Sequence, residues 1–128
     1  MHRSRIGVVL VDHPEAEWEE SLAFWAAAHG STPVAEEGEE SEYRTIGRIG
    51  SVLFASQRTG AGTPPRVHLD IETDDVPAEV ARVLALGASV VDQRPGYTIL
   101  SDPSGLVFCV VPVQSGDDFE REARTWDD

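Results

Sequence analysis

A Gly/Pro-rich stretch at mid-chain, Thr59-Gly-Ala-Gly-Thr-Pro-Pro65, separates two halves written in the same order. Before it comes Arg5-Ile-Gly-Val-Val-Leu-Val11, rich in β-branched residues and read as a strand. Asp12-His13-Pro14 follows, with Asp12 as a candidate cap and Pro14 suited to a first helical turn. The spacing of Trp18, Leu22 and Trp25, extended by Ala28 and His29, predicts a helix over Glu15–Ala28 that stops at Gly30. Short apolar pieces broken by Gly38, Gly47 and Gly50 then predict strands between Thr32 and Ser56. After the linker, Val67-His-Leu-Asp-Ile-Glu-Thr73 alternates as a half-buried strand, and Asp74-Asp75 ends it and offers a cap. Val76, Val80, Val83 and Leu84 form a helical stripe closed by Gly87. Ser89–Val91, Tyr97–Leu100 and Leu106–Val111 read as three more strands, with turns at Pro95-Gly96 and Asp102-Pro-Ser-Gly105. A chain that repeats strand, helix, glycine and strands is tightly limited in what it can fold into. The repeated unit is on the order of 60 residues.

The expected organisation is a single domain over 1–128. Module one covers about 5–58, the linker 59–65, module two about 66–113, and an acidic tail 114–128. At 128 residues the chain has room for little more than one core. The 10 basic and 23 acidic residues give a net charge of −13, which argues against nucleic acid as a partner, because phosphate contacts need clustered Lys and Arg. No apolar run reaches the roughly 18 residues of a membrane span, so no membrane partner is expected. One cysteine, Cys109, cannot form an internal disulfide, and a reducing, cytoplasmic location is expected. The run Glu36-Glu-Gly-Glu-Glu-Ser-Glu42 reads as a solvated loop, not a coordination sphere.

Three segments of the second half carry a family resemblance: Arg66-Val-His-Leu-Asp-Ile-Glu-Thr-Asp-Asp-Val76, Ala78-Glu-Val-Ala-Arg-Val-Leu-Ala-Leu-Gly-Ala88 and Leu100-Ser-Asp-Pro-Ser-Gly-Leu-Val-Phe-Cys-Val-Val-Pro112. In the first half, Val8-Val-Leu-Val-Asp12, Leu22-Ala-Phe-Trp25 and Gly30 stand in the matching order. Over roughly residues 5–113 the chain resembles the glyoxalase-like, bleomycin-resistance-like domains of the vicinal oxygen chelate superfamily. The resemblance implies an α+β fold of two βαβββ modules that curl into an incomplete barrel with a concave cleft for a small molecule. In metal-dependent members a divalent cation in that cleft chelates vicinal oxygens as a Lewis acid.

The metal positions implied by the resemblance can be checked on this chain. The first falls on Arg5, a cation. The second, a carboxylate on the fourth strand, should lie within Val52–Gln57, which contains no Asp or Glu. The third falls on His68, which fits, and the fourth on Cys109. One good ligand and one soft ligand leave the sphere incomplete. No cofactor is therefore expected, a divalent metal is disfavoured, and no substantial glyoxalase I activity is expected.

Period-2 alternation puts His68, Asp70 and Glu72 on one face of their strand and Val67, Leu69 and Ile71 on the other. The polar face should line the cleft, with Glu72 nearest its rim. Val107, Cys109 and Val111 share that side on the last strand, as do Arg5, Gly7 and Val9 on the first. The candidate ligand-cleft residues are therefore Arg5, Val9, His68, Asp70 and Cys109, and the weak catalytic candidates are His68, Asp70 and Cys109. Each has a plainer reading: Asp70 could pair with Arg5 or Arg66, and Cys109 could be a small buried hydrophobe. Two functions are compatible with these residues. One is a small-molecule binder without the usual metal site; the other is a metal-free lyase or isomerase rewired around His68. A homodimer is expected, burying apolar residues that include Phe119 and Trp126 of the tail. Alternatively, the tail docks on its own domain or frays.

Overall fold

The computed structural model describes all residues, Met1–Asp128. Eight strands and three helices make an α+β fold: β1 (His2–Pro14), α1 (Glu15–His29), β2 (Tyr43–Ile49), β3 (Val52–Thr59), β4 (Arg66–Thr73), α2 (Val76–Ala85), β5 (Ser89–Arg94), β6 (Tyr97–Ser101), β7 (Val107–Pro112), α3 (Asp117–Glu122) and β8 (Arg124–Trp126). No helix is long and apolar enough to cross a membrane. The chain forms two compact units, Val9–Val67 and a second made of Met1–Val8 with His68–Asp128. β1 is longer than its apolar run predicts, and it contributes its first residues to one unit and its last to the other.

In the unit Val9–Val67, β2 and β3 pair antiparallel, and Val34 makes a single bridge to Thr45. That bridge is all that forms of the third strand the βαβββ pattern calls for. Val11, Ala26, Ile46 and Phe54 make the core, with Leu22 packed against them. The buried face of α1 therefore runs through Trp18, Leu22 and Ala26 at i, i+4 spacing, not through Trp25, which is exposed and meets Phe54 edge-on. Asp12 does not cap α1. The N-cap is Pro14, without a side-chain hydrogen bond, and Asp12 lies within β1, fully buried, with Arg66 Nε 3.3 Å from its carboxylate. Trp18 donates from Nε1 to Ser56 Oγ at 2.9 Å, and the guanidinium groups of Arg44 and Arg58 lie 5.0 and 5.1 Å from its ring. The acidic run 36–42 holds no helix or strand, as expected of a solvated loop.

The second unit is the clearer βαβββ module, with strand order β4-β7-β6-β5 and β4 parallel to β7. α2 begins as predicted: the Asp75 side chain accepts from Ala78 N, and Pro77 sits in the first turn. Its Val83 packs on Leu100 and Val110, with Ile71, Val76, Val80 and Phe108 around them. Asp102 closes the β6–β7 turn by accepting from the backbone of Ser104 and Leu106. The tail docks on its own unit. Phe119 of α3 is 1% exposed, a burial contributing about 2–3 kcal/mol. β8 pairs antiparallel with β1, His2 opposite Trp126. Trp126 donates to Ser4 Oγ at 2.8 Å, and Arg82 stacks over its ring at 3.9 Å. Phe119, expected at a dimer interface, is instead covered by its own unit, while Trp126 stays half-buried.

Candidate ligand site

The register of β4 against β7 decides which side chains meet. Leu69 and Ile71 stand beside Phe108 and Val110 on the face that packs with α2. Asp70 stands beside Cys109, and Glu72 beside Val111, on the opposite face. Alternation therefore places His68, Asp70, Glu72 and Cys109 on one side, as the sequence predicts.

Three of the four converge. His68 Nε2 lies 3.3 Å from Cys109 Sγ and 3.3 Å from Asp70 Oδ1. One ligand atom from each of the three residues lies within 4.8 Å of the others. His68 and Cys109 are buried, and Asp70 is partly exposed. Both neighbours meet the same imidazole nitrogen. A base that activates a nucleophile holds the nucleophile on one ring nitrogen and the orienting acid on the other. This group is instead a convergence of three donors on one locus.

Glu72 is not a rim residue. Its side chain is fully buried, and Arg5 donates to it from Nε at 2.8 Å. The segment after β7 supplies the rest: Gln114 N at 2.8 Å and Ser115 N at 3.0 Å to one oxygen, and Ser115 Oγ at 2.5 Å to the other. Burial works to raise the Glu72 carboxyl, but the hydrogen bonds from Ser115, Gln114 and Arg5 hold it below the usual range. Gly7 completes the arrangement, because a Cβ there would overlap the Glu72 carboxylate. A lone glycine inside a β-branched strand signals such a close approach, and this was the one sequence clue to the cluster. Of the predicted cleft residues, Arg5 pairs with Glu72, and Asp70 lies 3.3 Å from His68. Val9 belongs to the other unit and takes no part in the His68 group.

The unit Val9–Val67 has a shallow, open groove of about 460 Å³ between α1 and the segment 31–44, lined by Trp18, Leu22, Thr32 and Arg44 among others. It holds no cysteine or histidine.

Residues 8–111 match the family model described as a glyoxalase-like domain. No curated protein is similar to the chain in sequence. Among solved structures, the chain is similar to one described as an NAD-dependent benzaldehyde dehydrogenase from Legionella pneumophila. The TM-score is 0.58 at 9% identity, over 84% of this chain and 98% of that one. It is also similar to hypothetical protein BH1468 from Bacillus halodurans C-125, with a TM-score of 0.61 at 10% identity, over 87% and 95% of the two chains. These likenesses show the fold, and the match over most of its length shows that the chain belongs to the glyoxalase-like domain family of the vicinal oxygen chelate superfamily.

Proposed function

We propose that this domain binds a small polar molecule on the strand face carrying His68, Asp70 and Cys109, without the hard-cation centre of its superfamily. The reading rests on the convergence of a buried imidazole, a partly exposed carboxylate and a buried thiol at one locus, with His68 Nε2 3.3 Å from both of the others. Asp70 accepts, while His68 can donate or accept, so the pair suits a ligand with an N–H or O–H beside an acceptor. The family's divalent ion does not fit the residues at its four positions. Arg5 is cationic and held by Glu72, and Val52–Gln57 offers no carboxylate. His68 and Cys109 alone are a poor sphere for an ion that wants several oxygen donors.

Ligand-observed NMR in chelator-treated buffer tests the reading, using a panel of small phenols, amides and hydroxy acids. Hits that compete with one another and vanish in His68→Ala support it. Hits that persist in that variant, or no hit with folded protein, count against it.

A further inference from the structure

We infer that the groove between α1 and the segment 31–44 is a docking surface for a basic amphipathic helix of a partner protein. It lies wholly within the unit Val9–Val67 and uses none of the residues around His68, so it stands apart from the small-molecule reading. Charge narrows the partner first. Residues 15–42 hold nine of the chain's 23 acidic residues, all of them glutamates, and no lysine or arginine. All 10 basic residues lie elsewhere, beside the remaining carboxylates. Both walls of the groove are therefore acidic. Glu15 and Glu19 stand on α1, and Glu36, Glu37, Glu39, Glu40 and Glu42 on the segment opposite, all exposed. A concentrated field of one sign gathers cationic partners and repels phosphates and anionic membranes.

The floor selects among cations. Trp18, Leu22 and Ala26 recur at i, i+4 spacing at the base of the groove, with the exposed Ala23 and Ala27 beside them and Pro33 across from them. From Trp18 to Ala27 the helix rises about 13 Å, roughly two and a half turns. A polyamine has the charge but nothing apolar to bury there. A helix with Leu or Ile on one face and Lys or Arg on the other has both. The acidic wall is also fixed before a partner arrives. Arg44 donates to the carbonyl oxygens of Glu39, Ser41 and Tyr43, each at 2.8 Å, and its guanidinium lies 5.0 Å from the Trp18 ring centre. One cation thus fastens the backbone of the segment to the groove, while the Glu39 side chain remains 91% exposed. Such preorganisation lowers the ordering entropy that binding costs. A second copy of this chain does not suit the groove, because no segment of it clusters basic residues.

Fluorescence anisotropy tests the surface, using the full chain and a labelled peptide of about 15 residues, long enough to hold a helix. The peptide carries Leu at i, i+3, i+4 and i+7 and Lys elsewhere. A scrambled isomer keeps the composition without the stripe, and spermine supplies charge alone. The patterned peptide should bind at least about 10-fold more tightly than the isomer, through the leucines it buries. Raising salt from about 0.05 to 0.5 M should weaken it by at least about 10-fold. Ala23→Trp, at an exposed helix position, should fill the groove and cost about 10-fold or more in affinity. Replacing Glu36, Glu37, Glu39 and Glu40 together by Gln should flatten the salt dependence. The chain has no lysine of its own, so carbodiimide coupling to the lysines of the peptide marks the contact on the wild-type protein. Adducts should concentrate on Glu19 and on the glutamates of segment 36–42. No binding to folded protein, equal binding of the scrambled isomer, or displacement of the peptide by spermine at matched charge would overturn the surface. So would affinity unchanged in Ala23→Trp, or adducts spread over the other carboxylates of the chain.

Discussion

Two polar clusters share β4, four residues apart, and they are held in opposite ways. Around Glu72 the carboxylate is saturated. Arg5, Ser115 and the backbone of Gln114 surround it at 2.5–3.0 Å, and Gly7 gives up its side chain to make room. Around His68 the contacts are 3.3 Å, the sulfur is a weak partner, and Asp70 is partly open to solvent. The same strand thus carries one carboxylate, Glu72, enclosed by four hydrogen bonds from the fold and another, Asp70, that stays partly open to solvent. Burial alone does not separate the two clusters, since Glu72 and His68 are both buried. Saturation does.

The largest effect expected from this contrast is at Glu72. Glu72→Ala leaves the Arg5 guanidinium without its buried counter-charge and frees two backbone N–H groups, a loss of about 3–5 kcal/mol. Urea unfolding measures it, and a loss under about 1 kcal/mol would remove the contrast. Gly7→Ala tests the same cluster from below. Its methyl group must displace the carboxylate, at a cost of roughly 1–3 kcal/mol. A double-mutant cycle with Glu72→Ala should show that most of this cost disappears once the carboxylate is gone.

A third cluster gives the comparison a pH axis. His2 is buried with Glu79 Oε1 2.7 Å from Nε2 and Asp128 Oδ1 2.5 Å from Nδ1. A neutral imidazole has one N–H, so satisfying both carboxylates requires the imidazolium. Burial works to lower the His2 pKa, but the bonds to Glu79 and Asp128 outweigh it and hold it above its ordinary 6.5. Its stabilisation is therefore complete below pH 6.5 and is lost as pH rises through the elevated value. Glu79 behaves oppositely. Burial raises its carboxyl, but Arg82 and His2 hold it below 4.5, so its share is complete above 4.5 and is lost as pH falls through the lowered value. Unfolding at pH 6 and pH 9 should show the wild type losing stability across the interval and His2→Gln losing less. Equal slopes would mean that His2 is neutral in the fold.

The smallest stability effect belongs to the ligand cluster itself. Asp70→Asn should change unfolding free energy by no more than about 0.5 kcal/mol, because Asp70 is partly solvated and engages only at 3.3 Å. The same variant should weaken the binding of the small-molecule NMR hits measurably. A large stability loss at Asp70 would turn the site into a second structural cluster and erase the distinction.

How much of this was legible in the sequence follows the range of the interactions. The alternation of Val67–Thr73, the Asp75 cap and the Asp102 turn are set by residues within a few positions of each other, and each appears where its pattern predicts. That His68 and Cys109 share a face also follows from alternation on two strands. The misreadings have long-range causes. Asp12 has the residue type and position of a cap, yet it lies inside a strand that runs on to Pro14, and its partner Arg66 is far off in sequence. Glu72 has the alternation of a cleft residue, but two of its partners are backbone N–H groups of Gln114 and Ser115, which no side-chain pattern can advertise. β8 is three residues of edge pairing, too short to leave a period.

The division of β1 between two units has a consequence for the order of synthesis. Residues 9–67 are contiguous, so every partner within their unit has been translated before residue 68. Residues 1–8 belong with 68–128, so they wait while those 61 positions are translated, roughly 3–12 s at about 5–20 residues per second. Throughout that interval they are an unpaired β-forming segment next to Val8-Val-Leu-Val11, the kind of edge that recruits other chains. The waiting half carries His2, Arg3, Ser4 and Arg5, whereas the uninterrupted apolar run sits almost wholly in the half whose partners are translated first. The basic residues that pair with Glu79, Glu120 and Glu72 in the fold thus also put charge beside that apolar run, the placement by which gatekeeper residues oppose edge-to-edge association.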